Sequence, residues 1–382
     1  MRSIDMRHLD PSILKKRIEE RAENDLSSGR VSGIALSVKQ NGETVYENFF
    51  GSASMTEQKP VTKDTVFRIA SMTKPITAVA TLILIERGLL SLHDPLEKYL
   101  PFFKELPIVK LDGDKLVNYG IASGKPSIFN VLTHTSGIGG GETGGVQSRA
   151  MSTEEKADLN KAVEFYARAG VQFEPFTDVL YSGTASFSVL TAIIEKITDM
   201  PYGDFLKKNI FDPLGMVDTT FTPTDKQWAR MIDMHDYDGQ KGFLGHSFDG
   251  CVFEDFPTSH PLGGAGLVST LEDYSKFAEM LLNEGENIIT PDSVRLMSTP
   301  LVPYSIQKRN KRWGLAVKVV TDESYDSLPL GAYGWSGAYG THFWVDPENR
   351  ITAVYMKNSQ FDGGGSSVTG ENFERDVTLS LK

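Results

Sequence analysis

The sequence predicts an α+β fold: one antiparallel β-sheet flanked by helices, joined to a largely helical lobe. Three observations predict it. Strand-like runs cluster toward both ends of the chain, an Asn-Gly turn joins the first two, and the middle is rich in helical spacing and loops. This pattern implies a sheet domain assembled from residues 1–85 and 265–382, with a mainly helical lobe inserted over 86–264.

Each element has a local cause. Asp10 suits an N-cap and Pro11 the first helical position, where no backbone donor is needed, so a helix is expected to run to about Leu26. Strand runs follow at 33–39 and 44–50, and Asn41-Gly42 between them favours the positive φ angles of a tight hairpin. Residues 66–70 read as a strand end. Beyond Ser71, Ile76, Val79, Ala80, Ile83 and Ile85 form a wide apolar stripe that Gly88 terminates. Gly-rich 139–145 reads as a mobile loop, and Leu190, Ile193, Ile194 and Ile197 stand at helical spacing. Thr270 and Asp273 resemble a capping box, with Tyr274, Phe277 and Leu281 on the buried face of the helix they start. Residues 313–320, 333–345 and 350–357 are β-rich, and 346–349 read as a turn.

Composition narrows the function. The 382 residues are 40% hydrophobic and 23% charged, an ordinary globular balance that argues against disorder. A net charge of −11 gives no electrostatic gain on phosphate backbones, so nucleic acid is not an expected partner. Lys308, Arg309, Lys311 and Arg312 are the nearest approach to a basic run and read as a solvated loop before a strand. The lone Cys251 permits no intramolecular disulfide and reads as a core residue. No apolar run approaches a membrane span, and the charged start of the chain lacks a secretory pattern, so a cytoplasmic protein is expected. No zincin histidine spacing, Gly-x-Ser-x-Gly elbow or phosphate-binding glycine loop is found; neither metal nor cofactor is called for.

Ser-x-x-Lys occurs three times, at Ser12, Ser71 and Ser305, so the pattern alone reads as a helix cap. Only Ser71 follows a strand-like run and opens an apolar helix. There the helix N-terminus supplies backbone donors, and Lys74 lies on the same face, where burial would help it accept a proton. Tyr181, before the Leu190 helix, is a candidate partner that a nearby cation would hold as phenolate, the two titrating as a coupled pair. Trp335-Ser336-Gly337-Ala338 puts small residues in a β-rich segment, where a substrate could approach the backbone and the Ala338 N–H could join that of Ser71 around an oxyanion. His342 would orient this site or simply pack beside the sheet.

Ser71-Met72-Thr73-Lys74, Tyr181-Ser182 and Trp335-Ser336-Gly337, in this order and at these separations, resemble the class C β-lactamase and penicillin-binding-protein superfamily, with its family VIII carboxylesterase branch the nearest likeness. The stretches 132–137, 213–216 and 263–270 agree, and the resemblance spans about residues 10–380. It implies a β-lactamase/transpeptidase-like fold and a serine hydrolase acting through an acyl-enzyme. Ser71 would be the nucleophile, Lys74 and Tyr181 the proton-handling pair, and the Ser71 and Ala338 N–H groups the oxyanion donors. Trp335, Ser336, Gly337, Gly183 and His342 would face the substrate. True lactamases of this class tend to carry Asn where this chain has Gly183, and Lys where it has Trp335. Loss of that charge and gain of an aromatic favour short or medium acyl esters over anionic β-lactams. The alternatives are a β-lactamase or D-Ala peptide hydrolase using the same residues, and a non-catalytic scaffold. A small ester or amide is the expected partner; oligomeric state stays open.

Overall fold

A helix at Pro11–Ser27 opens the chain, capped as expected: the Asp10 carboxylate accepts from the Ser12 and Ile13 N–H groups. The structure, a computed structural model, describes residues 6–113, 115–235, 258–325, 327–359, 365 and 367–382. Cys251, and with it most of the 235–259 segment, lies outside the described residues.

Among the described residues, twelve strands follow in chain order: β1 (Gly33–Gln40), β2 (Glu43–Ser54), β3 (Lys59–Pro60), β4 (Phe67–Arg68), β5 (Pro107–Asp112), β6 (Lys115–Ile121), β7 (Val268–Ser269), β8 (Lys311–Trp313), β9 (Lys318–Val320), β10 (Tyr333–Ser336), β11 (His342–Asp346) and β12 (Ile351–Met356). Eight form one sheet in the order β3-β2-β1-β12-β11-β10-β9-β8, with every pairing antiparallel. The first and last parts of the chain thus meet at the β1–β12 pair. At the β1–β2 turn Asn41 and Gly42 adopt φ of 55° and 80°, the positive values a tight hairpin requires.

Both faces of the central strands are covered. Ile34, Leu36 and Val38 of β1 pack with Ala353 and Tyr355 of β12 against Leu14, Ile18, Phe373 and Val377 from the helices Pro11–Ser27 and Val368–Thr378. Ala35, Val354 and Met356 face the opposite way, into a core shared with the helices Thr73–Glu86 and Leu271–Leu282. Alternation along each strand therefore feeds two cores. The Thr73–Glu86 helix is buried on all sides from Thr73 to Leu84, which marks it as the central helix of the molecule. Gly88, at φ 69°, ends it, with Leu89 N–H bonded back to the Leu84 carbonyl.

The structure corrects three local readings. Gly-rich 139–145 is not a loop throughout: Gly141–Ala150 is a helix, with Thr143 and Gln147 buried. The expected strand end at 66–70 shrinks to β4, because Ala70 turns into positive φ and breaks the ladder. The helical middle also contains the β5–β6 hairpin, whose β6 is largely exposed and so lacks the apolar alternation that would betray it. No described helix is long and apolar enough to cross a membrane.

Leu82, fully buried at the centre of the Thr73–Glu86 helix, is the side chain this packing depends on. Leu82→Ala is expected to cost about 2–5 kcal/mol in urea unfolding; a loss below about 1 kcal/mol would contradict the central placement of this helix.

Candidate active site

Ser71 sits in a single 3₁₀ turn, Ala70–Met72, that links β4 to the Thr73–Glu86 helix. Three contacts hold the approach to this turn. Asn358 exchanges two hydrogen bonds with the Arg68 backbone, at 3.0 and 2.9 Å. Ile69 N–H bonds the Leu267 carbonyl, and the Thr341 hydroxyl bonds the Ile69 carbonyl at 3.1 Å. Ala70 is held at φ 43°, an unfavourable backbone for a residue with a Cβ, and this kink aims the next side chain, Ser71, away from the strand.

Lys74, in the first turn of the helix, is completely buried. Its Nζ lies 3.1 Å from Ser71 Oγ, 2.6 Å from the Gly183 carbonyl and 2.7 Å from the Gly264 carbonyl. Burial drives its pKa well below the usual lysine value. Two of its hydrogens go to the two carbonyls, and once deprotonated its lone pair faces the Ser71 hydroxyl proton. Close backbone approach makes this possible. A Cβ on Gly264 would stand 2.7 Å from the Gly183 carbonyl oxygen, and one on Gly263 would stand 2.3 Å from Thr191 Oγ1.

Tyr181 donates from its hydroxyl to Ser71 Oγ at 2.6 Å. Burial pushes its pKa up to about 12, outweighing the opposite pull of the Ser71 hydrogen bond. Burial thus works against the phenolate expected from the sequence, and the Tyr181 hydroxyl is placed to donate to Ser71 Oγ. His134 sets the loop that carries Tyr181. At φ 58° its carbonyl accepts the Leu180 N–H, its Nδ1 accepts the Ser182 N–H, and its ring packs 4.7 Å from that of Tyr181.

β10 brings the third motif alongside. Gly337 passes so close to Ile69 that a Cβ there would meet the Ile69 carbonyl oxygen at 2.3 Å. This approach carries Ala338 toward the Ser71 turn. Neither the Ser71 N–H nor the Ala338 N–H has an acceptor among the described residues. Gly183 contributes its carbonyl to Lys74, and the direction of its absent Cβ is open space. Trp335 packs against Tyr181 and Trp313, with ring centroids 5.3 and 4.5 Å apart, and its buried indole N–H makes no well-formed hydrogen bond.

His342 is more than packing. Its Nδ1 lies 2.8 Å from Ser336 Oγ and its Nε2 lies 2.9 Å from Glu374. Burial would raise the Glu374 pKa, but the His342 hydrogen bond and charge, with Lys311 and Tyr325, outweigh it and hold the carboxyl at about 2. Glu374 thus fixes His342, which in turn fixes Ser336. Glu374, His134, Trp313 and the carbonyl of Gly264 were not singled out for the site from sequence. Glu374 sits on the buried face of its helix with Phe373 and Val377, and a charge in that apolar row was the available signal.

A cavity of about 1100 Å³ opens beside Tyr181 and is also lined by Trp313, Lys318, Trp335, Ser336 and His342. Lys318 corrects the expectation that Trp335 leaves the pocket without a cation. It stands on β9, opposite Gly334 of β10, with its Nζ 5.1 Å from the centre of the Trp335 ring. Among the described residues no cluster of three or more His, Cys, Asp or Glu side chains could hold a metal ion.

The sequence profile of the Beta-lactamase family matches residues 14–371, and the chain belongs to that family of hydrolases. Protein Rv1367c of Mycobacterium tuberculosis is 31% identical over 86% of each chain. Esterase EstB of Burkholderia gladioli is 28% identical over 94% of each chain. A solved structure titled EstCE1, a hydrolase with promiscuous acyltransferase activity, shares the fold with a TM-score of 0.82 at 23% identity, over 96% of this chain and 99% of that one.

A phenol at about pKa 12 has an optical consequence. The ultraviolet difference spectrum between wild type and Tyr181→Phe is expected to show no tyrosinate band at neutral pH. A tyrosinate contribution from Tyr181 at neutral pH would contradict this assignment.

Proposed function

We propose that this chain is a serine hydrolase that forms an acyl-enzyme at Ser71 and acts on carboxylic esters of short or medium acyl length. The observation that carries the proposal is the double contact on Ser71 Oγ, from the Lys74 amine at 3.1 Å and the Tyr181 hydroxyl at 2.6 Å. As Ser71 Oγ attacks the ester carbonyl, Lys74 accepts its proton. The developing oxyanion takes the N–H groups of Ser71 and Ala338, for which no acceptor is found among the described residues. Tyr181, the acid nearest the reacting oxygen, passes a proton to the leaving alcohol, and Lys74 resupplies it. Water then enters with the roles reversed and frees Ser71.

Preference for esters over β-lactams rests on the wall of the site. Trp335, Trp313 and Tyr181 present aromatic faces, which suit an apolar acyl or alcohol group. At Gly183 no side chain is available to bind a lactam amide. Kinship with EstB supports the same choice.

Purified protein is expected to hydrolyse p-nitrophenyl butyrate, and Ser71→Ala to lower kcat/KM at least about a thousandfold. Full activity in Ser71→Ala would overturn the assignment of the nucleophile. Turnover of a chromogenic cephalosporin within about tenfold of the best ester would overturn the ester preference, since tenfold is only about 1.4 kcal/mol of barrier. Absence of a Ser71 adduct after fluorophosphonate treatment would favour a non-catalytic scaffold.

A further inference from the structure

Among the described residues, Lys318 is a cation without an anion. Its ammonium is half-buried beside a pair of contacting indoles, 5.3 Å from the centre of the Trp313 ring and 5.1 Å from that of Trp335. It makes no hydrogen bond or ion pair to any described residue. Its neighbour Lys311 differs sharply: that ammonium is spent on Glu374 at 3.2 Å and on the Tyr325 hydroxyl at 2.6 Å. The remaining charges of the cavity wall leave Lys318 unserved. Lys308 and Arg309 add positive charge, Glu374 is committed to Lys311 and His342, and Asp178 and Glu371 stand exposed at the rim.

An ammonium half-removed from water without a counter-ion is costly, and aromatic faces offset that cost only in part. Burial, together with the like charges of Lys311 and Arg309, pulls the Lys318 pKa down to about 8, and no carboxylate opposes them. An incoming anion would relieve all three influences at once. Lys318 is also well placed for substrate, since it shares the cavity with Tyr181 and contacts the same two indoles that pack on that ring.

We propose that Lys318 selects the substrate: the site takes esters that bear a carboxylate away from the scissile bond, and the Lys318 ammonium, beside Trp313 and Trp335, binds that carboxylate. The assignment rests on the ester reading of Ser71 and names the class of ester within it. The carboxylate belongs either to the acyl part or to the alcohol part, and the two sources are separable by probe.

The test compares matched pairs. In the acyl arm, the mono-p-nitrophenyl esters of adipic and suberic acids are set against p-nitrophenyl hexanoate and octanoate. In the alcohol arm, 4-carboxyphenyl acetate is set against phenyl acetate. The wild type is expected to favour the carboxylate member of at least one arm in kcat/KM. Lys318→Met is expected to lower that selectivity ratio about 10- to 100-fold, the span of a lost charge-assisted contact, and Lys318→Arg to retain most of it. No carboxylate preference in either arm, or an unchanged ratio in Lys318→Met, overturns the proposal. A second measurement on the wild type needs no turnover and no variant: tryptophan fluorescence during titration with monomethyl adipate and with methyl hexanoate. Saturable quenching by the carboxylate ester alone supports Lys318, and equal or flat responses overturn it. Failure to cleave every ester would instead sink the ester reading, leaving the fluorescence result to judge Lys318 separately.

Discussion

A lysine amine sealed in the protein with no carboxylate beside it is the constraint around which the molecule is arranged. Lys74 is completely buried, and burial alone accounts for its depressed pKa. As an ammonium it would carry an uncompensated charge in a low-dielectric interior. As an amine it is fully satisfied by two carbonyls and one hydroxyl. Those three partners come from three distant parts of the chain, so the amine fixes their mutual positions as well as its own protonation. Gly263 and Gly264 lack side chains because the backbone that offers the carbonyl is pressed against the segment after Tyr181 and the helix beyond it.

The turn that carries Ser71 is the second half of the same arrangement. Ala70 holds an unfavourable φ, and such a conformation persists only where its surroundings over-determine it. They do so here through Asn358, Leu267 and Thr341, from the segments beside β12, β7 and β11. Gly337 completes the enclosure by letting β10 run against Ile69. Central helix and Tyr181 loop thus converge on one oxygen atom, with the sheet pressed against the turn that carries it.

Much of this was legible in the sequence where the cause is local. The Asp10 cap, the Asn41-Gly42 hairpin and the Gly88 stop each depend on a few neighbouring residues, and each took the expected form. Ser71, Lys74 and Tyr181 were found because a short spacing and a family pattern mark them, and the structure brings their side chains together. What escaped depends on contacts between remote segments. Nothing near Glu374 announces that His342 and Ser336 lie beside it, and nothing near Lys318 shows the two indoles beside it. Adjacency of Lys and Tyr can be guessed from sequence, but how deeply both are buried, and which backbone carbonyls meet the amine, cannot.

The account makes Lys74 a neutral base rather than a fixed cation, and that is directly measurable. Nuclear magnetic resonance of the Lys74 Cε and Nζ, assigned by comparison with a Lys74→Met variant, reports the protonation of this one amine as pH is varied. The account predicts a titration far below the ordinary lysine value of 10.5. An ammonium that persists up to 10.5 or beyond would contradict it.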